Sequence, residues 1–306
     1  MLWHTFFAAV AVAWIQQAAS TPGVDQWITA LVSSNSSLLS WPTHFTQDIV
    51  PKQIHSHNDY WREVPLLTAL SLGVQSVEAD VWFINGTLFV GHEEAALTPN
   101  RTFESLYLQP IMQILDMMNP RNNFTSNATS ANGPFDTAST TPLQLLVDMK
   151  TDGNATLPPV LQALQPLRSA GYLTTFMNGT VQSSAVTVIG TGNTPLEGIT
   201  ALQPRDVFFD APLASLNSSN FDHTISPIAS TDWGSVVGWS GIGNPTDAQR
   251  NMIQTLINDA HTRGIQARFW DTPGWPVRAR ENVWTELLND GADWLNADDL
   301  VAASRF

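Results

Sequence analysis

The chain has 306 residues, of which 43% are hydrophobic and 13% are charged. This composition supplies enough apolar side chains for a large core and excludes a globally disordered protein. The formal net charge of −14 repels nucleic acid and anionic membrane surfaces, so we expect neither as a partner. The absence of cysteine excludes disulfides, thiolate metal sites and cysteine nucleophiles.

The first residues, 1–20, have the pattern of a secretory signal peptide. An apolar run over residues 6–15 is too short to span a bilayer, and the small residues 18–20 suit a cleavage site. No Lys or Arg precedes the run, which leaves a buried N-terminal helix as the alternative. No later apolar run is long enough for a membrane span, and residues 21–306 are predicted to form one domain.

Eight Asn-x-Ser/Thr sequons also favour secretion. Each sequon is a weak signal, but eight of them beside a signal-like start predict a secreted, glycosylated protein. The acceptor asparagines are Asn35, Asn85, Asn100, Asn123, Asn127, Asn154, Asn178 and Asn217.

Short apolar, β-branched runs alternate with longer helical stretches along the rest of the chain. Strands are predicted over residues 53–57, 76–84, 88–91, 143–149, 185–189, 207–209, 225–228, 265–270 and 292–296. Helices are predicted over residues 62–73, 103–118, 159–171, 245–263 and 276–290, and a loop over 119–141. The unbroken alternation predicts an α/β fold, a TIM-type (β/α)8 barrel that is regular or distorted. An open doubly wound sheet is the alternative.

The strand predicted over residues 76–84 carries two carboxylates on one face. The period of two places Glu78 and Asp80 together, with apolar neighbours on the other face. Two like charges in a buried setting repel each other and are poorly solvated, and a hard divalent cation removes both problems. The pair therefore predicts a metal site, with a polar strand face that meets water as the alternative.

A second polar pair ends the strand predicted over residues 143–149. Asp148 and Lys150 share a face at the end of the strand where barrel enzymes place their chemistry. Asp148 is a candidate third metal ligand, and Lys150 is a candidate contact for a substrate oxyanion or phosphate. A simple ion pair at the barrel rim is the alternative.

Three histidines lie close to these strands in the sequence. His55 and His57 are two residues apart at the end of the first predicted strand, and His92 follows the run over residues 88–91. Two imidazoles can act as base and acid because their pKa lies near neutrality. The remaining four histidines are interpreted as surface or packing residues. They are His4, His44, His223 and His261.

Tryptophan is abundant, with 12 residues. Trp82 shares a face with the acidic pair and Trp270 ends a predicted strand, so the side chain of either could form part of the wall of the candidate site. Burial in the core is the alternative for both. The sequence contains no nucleophile elbow, phosphate-binding loop, dinucleotide fingerprint or HExxH motif.

Several blocks of sequence resemble the phospholipase C-like phosphodiesterase superfamily, in particular the fungal altered inheritance of mitochondria family. The early blocks are HSHNDY at 55–60, PLLTALSLG at 65–73, SVEADV at 76–81 and LFVGHE at 88–93. The later blocks are VDMK at 147–150, FFDAPL at 208–213, RFWDTP at 268–273 and GADWLN at 291–296. The resemblance covers nearly all of the chain after the signal-like segment and implies a TIM-type barrel with phosphodiesterase activity.

Position by position, the resemblance implies a role for each candidate residue. His57 and His92 match the two catalytic histidines of the superfamily. Glu78 and Asp80 match its E-x-D metal pair, and Asp148 matches the third metal carboxylate.

Other candidates are matched to the substrate. Lys150 is expected near the phosphate, and Trp270 matches the aromatic residue that closes the site. His55 is expected to orient a partner or help bind phosphate, and Asn58 is a further candidate substrate-binding residue.

The chain departs from the glycerophosphodiesterases, which open with His-Arg-Gly. Here Asn58 and Asp59 follow His57, and the nearest downstream glutamate is Glu63. This spacing is more similar to that of sphingomyelinase D-type enzymes. The resemblance therefore implies a reaction class and leaves the phosphodiester open.

These observations predict a secreted, monomeric phosphoric diester hydrolase that uses Mg²⁺ or Ca²⁺ and acts on a phospholipid or glycerophosphodiester. One histidine deprotonates the attacking oxygen, from water or from the substrate, and the other protonates the leaving alkoxide. A noncatalytic secreted barrel that binds a phospholipid headgroup or a sugar is the first alternative. A metal-dependent carbohydrate hydrolase is the second, and the pairing of Asp148 with Lys150 favours phosphate over it.

Overall fold

The structure is a computed structural model that describes residues 23–36, 43–126 and 129–306. The predicted signal peptide, residues 1–20, lies outside the described residues. The chain divides into two compact units, Met1–His44 and Phe45–Phe306. The first unit contains helix α1, Val24–Ser33. Among the described residues, no helix is both long and apolar enough to cross a membrane.

Eight parallel strands form the wall of a nearly closed barrel in the second unit. In chain order, the strands of this unit are β1 (Lys52–Ser56), β2 (Val74–Ile84), β3 (Thr87–Val90), β4 (Leu143–Met149), β5 (Thr175–Met177), β6 (Thr180–Gln182), β7 (Val186–Gly192), β8 (Val207–Pro212), β9 (Ile228–Asp232), β10 (Gln266–Trp270) and β11 (Leu295–Ala297). Around the wall the order is β1, β2, β4, β7, β8, β9, β10 and β11, with β11 pairing back to β1. A parallel bridge between Arg268 and Trp294 joins β10 to the residue before β11. The predicted barrel is confirmed, and the open doubly wound alternative is wrong.

Helices follow most of the wall strands. They are α2 (Leu67–Ser71), α3 (Gln109–Met118), α4 (Gly153–Ala163), α5 (Gln165–Ala170), α6 (Leu196–Thr200), α7 (Trp233–Val236), α8 (Asp247–His261), α9 (Val277–Asn289) and α10 (Leu300–Arg305). A five-residue π-helical segment, Glu104–Leu108, leads into α3. Strand β3 returns antiparallel along β2, and β5 and β6 form a separate hairpin.

The barrel interior is apolar at its floor and polar at its mouth. Five buried side chains form a cluster within the interior. They are Leu146, Ile189, Phe208, Ile228 and Trp294. The alternate residues of β2, Val77, Ala79 and Val81, are fully buried in the main core cluster, which also contains apolar residues of the helices. The period of two therefore leaves Glu78 and Asp80 facing inward, as predicted.

Two predicted helices have different bounds in the structure. The helix predicted over residues 62–73 is confined to α2, because the backbone N–H of Leu66 donates to the Asp59 carboxylate and Leu66 has a φ of 62°. The helix predicted over residues 159–171 begins earlier, at Gly153. The Asp152 side chain accepts from the Ala155 N–H at 2.9 Å and starts the helix ahead of its prolines.

Two predicted strands start too early. The strand predicted over residues 225–228 lies at Ile228–Asp232, after Pro227, which has no N–H to donate to a ladder. The strand predicted over residues 292–296 lies at Leu295–Ala297. The β5–β6 hairpin was not predicted, although Asn178 and Gly179 are the residue types that a two-residue hairpin turn favours.

Candidate active site

The polar mouth of the barrel is a cavity of about 370 Å³. The residues that line it lie on six of the wall strands or in the loops that follow them, except for His92, which follows β3. The cavity is lined by His57, Asn58, Glu78, Asp80, His92, Asp148, Lys150, Thr191, Gly192, Asp210, Arg268 and Trp270. The structure thus brings together every predicted site residue except His55 and Trp82.

Three carboxylates meet on one side of this cavity. Glu78, Asp80 and Asp148 each offer one oxygen atom, and these atoms lie within 4.8 Å of one another. The register of the sheet explains the meeting, because Asp80 on β2 is paired directly with Asp148 on β4. Glu78 lies two residues before Asp80 and therefore on the same face of β2. We call these three residues the acidic triad.

Burial makes the acidic triad electrostatically costly. Burial, followed by the charges of Glu78 and Asp148, raises the pKa of Asp80 to about 7. Burial also raises the pKa of Asp148 above its ordinary value. Burial alone would raise the pKa of Glu78, but the His55 imidazole and the Arg268 guanidinium outweigh it and hold that pKa low. The acidic triad therefore needs a nearby positive charge to stabilise its ionised form.

Lys150 supplies part of this charge. Its Nζ lies 2.7 Å from Asp148 Oδ2 and 2.9 Å from Asp80 Oδ2. Burial alone would lower the pKa of Lys150, but the charges of Asp148 and Asp80 raise it to about 12, so the ammonium stays charged.

One oxygen of the triad has no partner. Asp80 Oδ1 is buried and forms no hydrogen bond. Such an atom costs free energy unless a ligand satisfies it. Three carboxylates with an unpaired oxygen are the donor set that hard divalent cations prefer, so the acidic triad fits a divalent cation.

Tyr60 links His92 to the acidic triad. The Tyr60 hydroxyl donates to Asp80 Oδ2 at 2.7 Å and lies 3.1 Å from His92 Nδ1. Burial and the charge of Asp80 raise the pKa of Tyr60 well above its ordinary value, so the hydroxyl keeps its proton. The hydroxyl also donates to Asn58 Oδ1, so both acceptors of its proton are oxygen atoms. We therefore assign the proton between Tyr60 and His92 to Nδ1 of the imidazole, which also lies 3.4 Å from Asp80 Oδ2. This assignment leaves Nε2 of His92 as the atom that can exchange a proton with a substrate.

A carboxylate holds the other predicted catalytic histidine. His57 Nδ1 lies 2.9 Å from Oδ1 of Asp298, in the loop after β11. The Nδ1 atom therefore carries a proton. Nε2, which lies 3.4 Å from the Asn58 side-chain Nδ2, is the ring nitrogen that can accept a proton.

The turn after His57 is anchored to the acidic triad. Asn58 adopts a left-handed conformation with a φ of 50°, and its backbone N–H donates to Glu78 Oε2 at 2.9 Å. The buried carboxylate of Asp59 accepts from Ser56 Oγ and from the Leu66 N–H, both at 2.7 Å. These bonds fix the turn that carries His57 at the rim of the cavity.

His55 lies beneath the cavity and not in its lining. It is fully buried, and its Nδ1 lies 2.7 Å from Ser76 Oγ. Its Nε2 lies 3.9 Å from Glu78 Oε2. Burial lowers the pKa of His55 to about 3, so the ring is neutral near pH 7. Its position suits the orientation of Glu78 and gives no direct contact with a substrate in the cavity.

The two candidate tryptophans have different places. Trp270 lines the cavity and is 37% exposed. Trp82 is not part of the lining, and its Nε1 donates to the Gly91 carbonyl at 2.7 Å. An exposed tryptophan that sequence reasoning did not select, Trp61, packs against His92 with 5.3 Å between ring centroids.

Sequence reasoning missed several residues of the site. Arg268 could have been found, because it lies two residues before Trp270 on the same strand face. Asp210 follows an apolar strand as Asp148 does, and the same rule applied to β8 would have selected it. Tyr60 and Asp298 carry no local signal, because their roles depend on contacts across the barrel.

Gly192 is a further residue on which the acidic triad depends. It has a φ of 64°, and a Cβ at this position would lie 1.9 Å from Asp148 Oδ1. Only glycine allows β7 to end this close to the Asp148 carboxylate.

We therefore expect Gly192→Ala to displace the Asp148 carboxylate and to lower affinity for a divalent cation about tenfold or more. Calorimetric titration with Mg²⁺ and with Ca²⁺ measures the effect. Gly179→Ala is the matched control, because its φ is 79° but nothing lies within 4 Å of a Cβ there. Equal cation affinities for the two variants would contradict the expectation.

Comparisons with known proteins agree with the family resemblance. A family model described as an AIM6-like phosphodiesterase domain matches residues 43–210. A protein from Arthroderma benhamiae named Altered inheritance of mitochondria protein 6 homolog is 45% identical over 284 residues, which cover 90% of this chain and 90% of that protein. The Saccharomyces cerevisiae protein named Altered inheritance of mitochondria protein 6 is 33% identical over 285 residues, covering 84% of this chain and 71% of that protein.

Among solved structures, a glycerophosphodiester phosphodiesterase from Parabacteroides distasonis aligns with a TM-score of 0.47 and 11% identity, over 84% of this chain and 98% of that one. The family model matches more than half of the chain, and the curated relatives cover most of it. The chain therefore belongs to the AIM6-like phosphodiesterase family.

Proposed function

We propose that this protein is a divalent cation-dependent phosphoric diester hydrolase in which His57 and His92 carry out acid–base catalysis. The observation that supports this best is the presence of both histidines, Lys150 and the acidic triad in one cavity. The match to a phosphodiesterase domain supports the same reaction class.

The acidic triad would hold the cation, Mg²⁺ or Ca²⁺. When bound, such a cation stabilises the negative charge that builds on phosphate oxygens. Lys150 and Arg268 line the same cavity and add positive charge beside the phosphate.

The histidines would move the protons. Tyr60 and Asp298 hold Nδ1 of His92 and of His57, so Nε2 of each ring is left for the substrate. One Nε2 takes the proton from the attacking oxygen, and the other returns a proton to the leaving alkoxide. The attacking oxygen belongs to water or to a hydroxyl of the substrate, which would give a cyclic phosphate.

Replacing either histidine by alanine is expected to lower phosphodiester turnover by about 10²-fold or more, because each removes one proton transfer. The assay uses glycerophosphocholine, phosphatidylinositol, sphingomyelin and lysophosphatidylcholine, each with and without chelator. His223→Ala is the control, because His223 is exposed and lies outside the cavity lining.

Unchanged turnover in His57→Ala or His92→Ala would reject the assignment. If the wild-type protein binds the cation and a headgroup but hydrolyses none of the diesters, the noncatalytic alternative is correct.

Cation affinity is expected to rise with pH up to about 8. Because the pKa of Asp80 is raised to about 7, a proton competes with the cation for this carboxylate at lower pH. Calorimetric titration at several pH values measures the effect. A pH-independent affinity between pH 5.5 and 8 (roughly 1 unit or more on either side of the Asp80 pKa) would contradict it.

The metal-free protein provides a second measurement of the same group. The folded-state pKa of Asp80 lies above its ordinary value of 3.8, so the folded state favours the protonated carboxyl. The contribution of Asp80 to stability is therefore lost as the pH rises through about 7. The pH-dependent difference in unfolding free energy between the wild type and Asp80→Asn isolates this contribution.

We also propose that the protein is secreted and N-glycosylated. Seven of the eight sequon asparagines lie in described residues and all seven are exposed, which makes each accessible to a glycan. Asn127 lies outside the described residues. Expression of the full chain in a fungal host, followed by glycosidase treatment of the medium, tests the proposal. A protein that is retained in the cell without glycans would contradict it.

A further inference from the structure

Lys150 is bonded to two of the three members of the acidic triad. Its Nζ donates to Asp148 Oδ2 at 2.7 Å and lies 2.9 Å from Asp80 Oδ2. Both distances are typical of charge-assisted hydrogen bonds. The ammonium of Lys150 therefore already uses oxygen atoms of two predicted metal ligands.

The second oxygen atoms of the two aspartates have different surroundings. Asp80 Oδ1 is buried and has no hydrogen-bond partner. Asp148 Oδ1 is packed against Gly192, where a Cβ would lie only 1.9 Å from it. Because Oδ1 faces the backbone at the end of β7, Oδ2 is the oxygen of Asp148 that is left for a further ligand, and Lys150 holds it. A cation at the acidic triad and the Lys150 ammonium therefore compete for Asp148 Oδ2.

Two positive charges cannot share this oxygen at low cost. An ammonium has only donors, so it cannot coordinate a cation, and like charges repel strongly where burial lowers the local dielectric. The side chain of Asp80 is 1% exposed and that of Lys150 is 24% exposed, so water screens the repulsion only in part.

The side chain of Lys150 can change partners without a change in the barrel wall. Its backbone N–H donates to the Val81 carbonyl at 2.9 Å, which holds the Cα of Lys150 beside β2. The four-carbon stem beyond the Cα is flexible and ends in a point charge. Lys150 lines the same cavity as His57 and His92, so its ammonium can reach the space between the two proposed proton carriers.

We propose that Lys150 couples cation binding to phosphate binding, because its ammonium bonds either Asp148 Oδ2 or the phosphate. Lys150 leaves Asp148 when the acidic triad binds the cation, and its ammonium then binds the phosphodiester. The inference rests on the proposed function for the identity of these two ligands. It adds an order to their binding, with the cation before the phosphodiester.

The chain has two lysines, Lys52 and Lys150, so nuclear magnetic resonance of isotope-labelled lysine side chains resolves each of them. Lys52, the first residue of β1, lies outside the cavity lining, and Lys52→Met assigns the two signals. We expect saturating Mg²⁺ or Ca²⁺ to shift the Lys150 signal and to leave the Lys52 signal in place. Dimethyl phosphate, a phosphodiester without further functional groups, is expected to shift the Lys150 signal only after the cation has been added.

Two results would overturn the inference while the proposed function stands. One is a Lys150 signal that does not change although calorimetry shows that the cation binds. The other is an equal shift of this signal by dimethyl phosphate in the presence and in the absence of the cation. A Lys150 signal that follows the expected order, in a protein that hydrolyses no diester, would support the inference and reject the proposed function.

Calorimetric titration of Lys150→Met gives an independent measurement. Loss of the competing ammonium is expected to raise the affinity for Mg²⁺ and for Ca²⁺ about tenfold, while phosphodiester turnover falls. Lys52→Met is the matched control and is expected to keep the wild-type cation affinity. An unchanged or lower cation affinity in Lys150→Met would show that Lys150 supports the acidic triad without competing for it, and would overturn the inference.

Discussion

The pairing of Asp80 with Asp148 across two neighbouring strands determines the chemistry of the barrel mouth. Direct register between β2 and β4 places these two carboxylates side by side, and the period of β2 adds Glu78 below them. Packing of the apolar faces of both strands against the outer core fixes that register, since a slip by one residue would turn the acids into the core. The hydrophobic pattern of β2 and β4 therefore places these negative charges in the barrel interior. The surrounding residues Lys150, Arg268 and Tyr60 occupy positions from which they can compensate it.

The hydrogen bonds that stabilise the acidic triad also orient the two histidines. Tyr60 donates to Asp80 and at the same time lies against Nδ1 of His92, so the proposed proton carrier is oriented by the group that solvates a predicted metal ligand. The turn through Asn58 does the same on the other side, because its N–H binds Glu78 and its geometry presents His57. The acidic triad is thus linked to His92 through Tyr60 and to the turn that carries His57 through Asn58.

Much of this site could be predicted from residues two apart on a strand. Glu78 with Asp80, and Asp148 with Lys150, follow from the period of two, and the β–α alternation predicts the barrel that brings their strand ends together. Asp298 could not be predicted, because its contact with His57 depends on closure of the barrel between β11 and β1. The helix predicted over residues 62–73 failed for a related reason. The backbone N–H of Leu66 donates to the Asp59 carboxylate, so the first half of that segment lies in the loop that supports the site.

The charges of the mouth also bear on which molecules can enter it. Four carboxylates, the acidic triad and Asp210, face two cationic side chains, Lys150 and Arg268. With all four acids ionised, the mouth has a negative balance that repels a phosphodiester anion, and the negative net charge of the chain adds to this repulsion. One divalent cation at the triad cancels the local excess. Cation binding would therefore serve substrate entry as well as the stabilisation of charge during reaction.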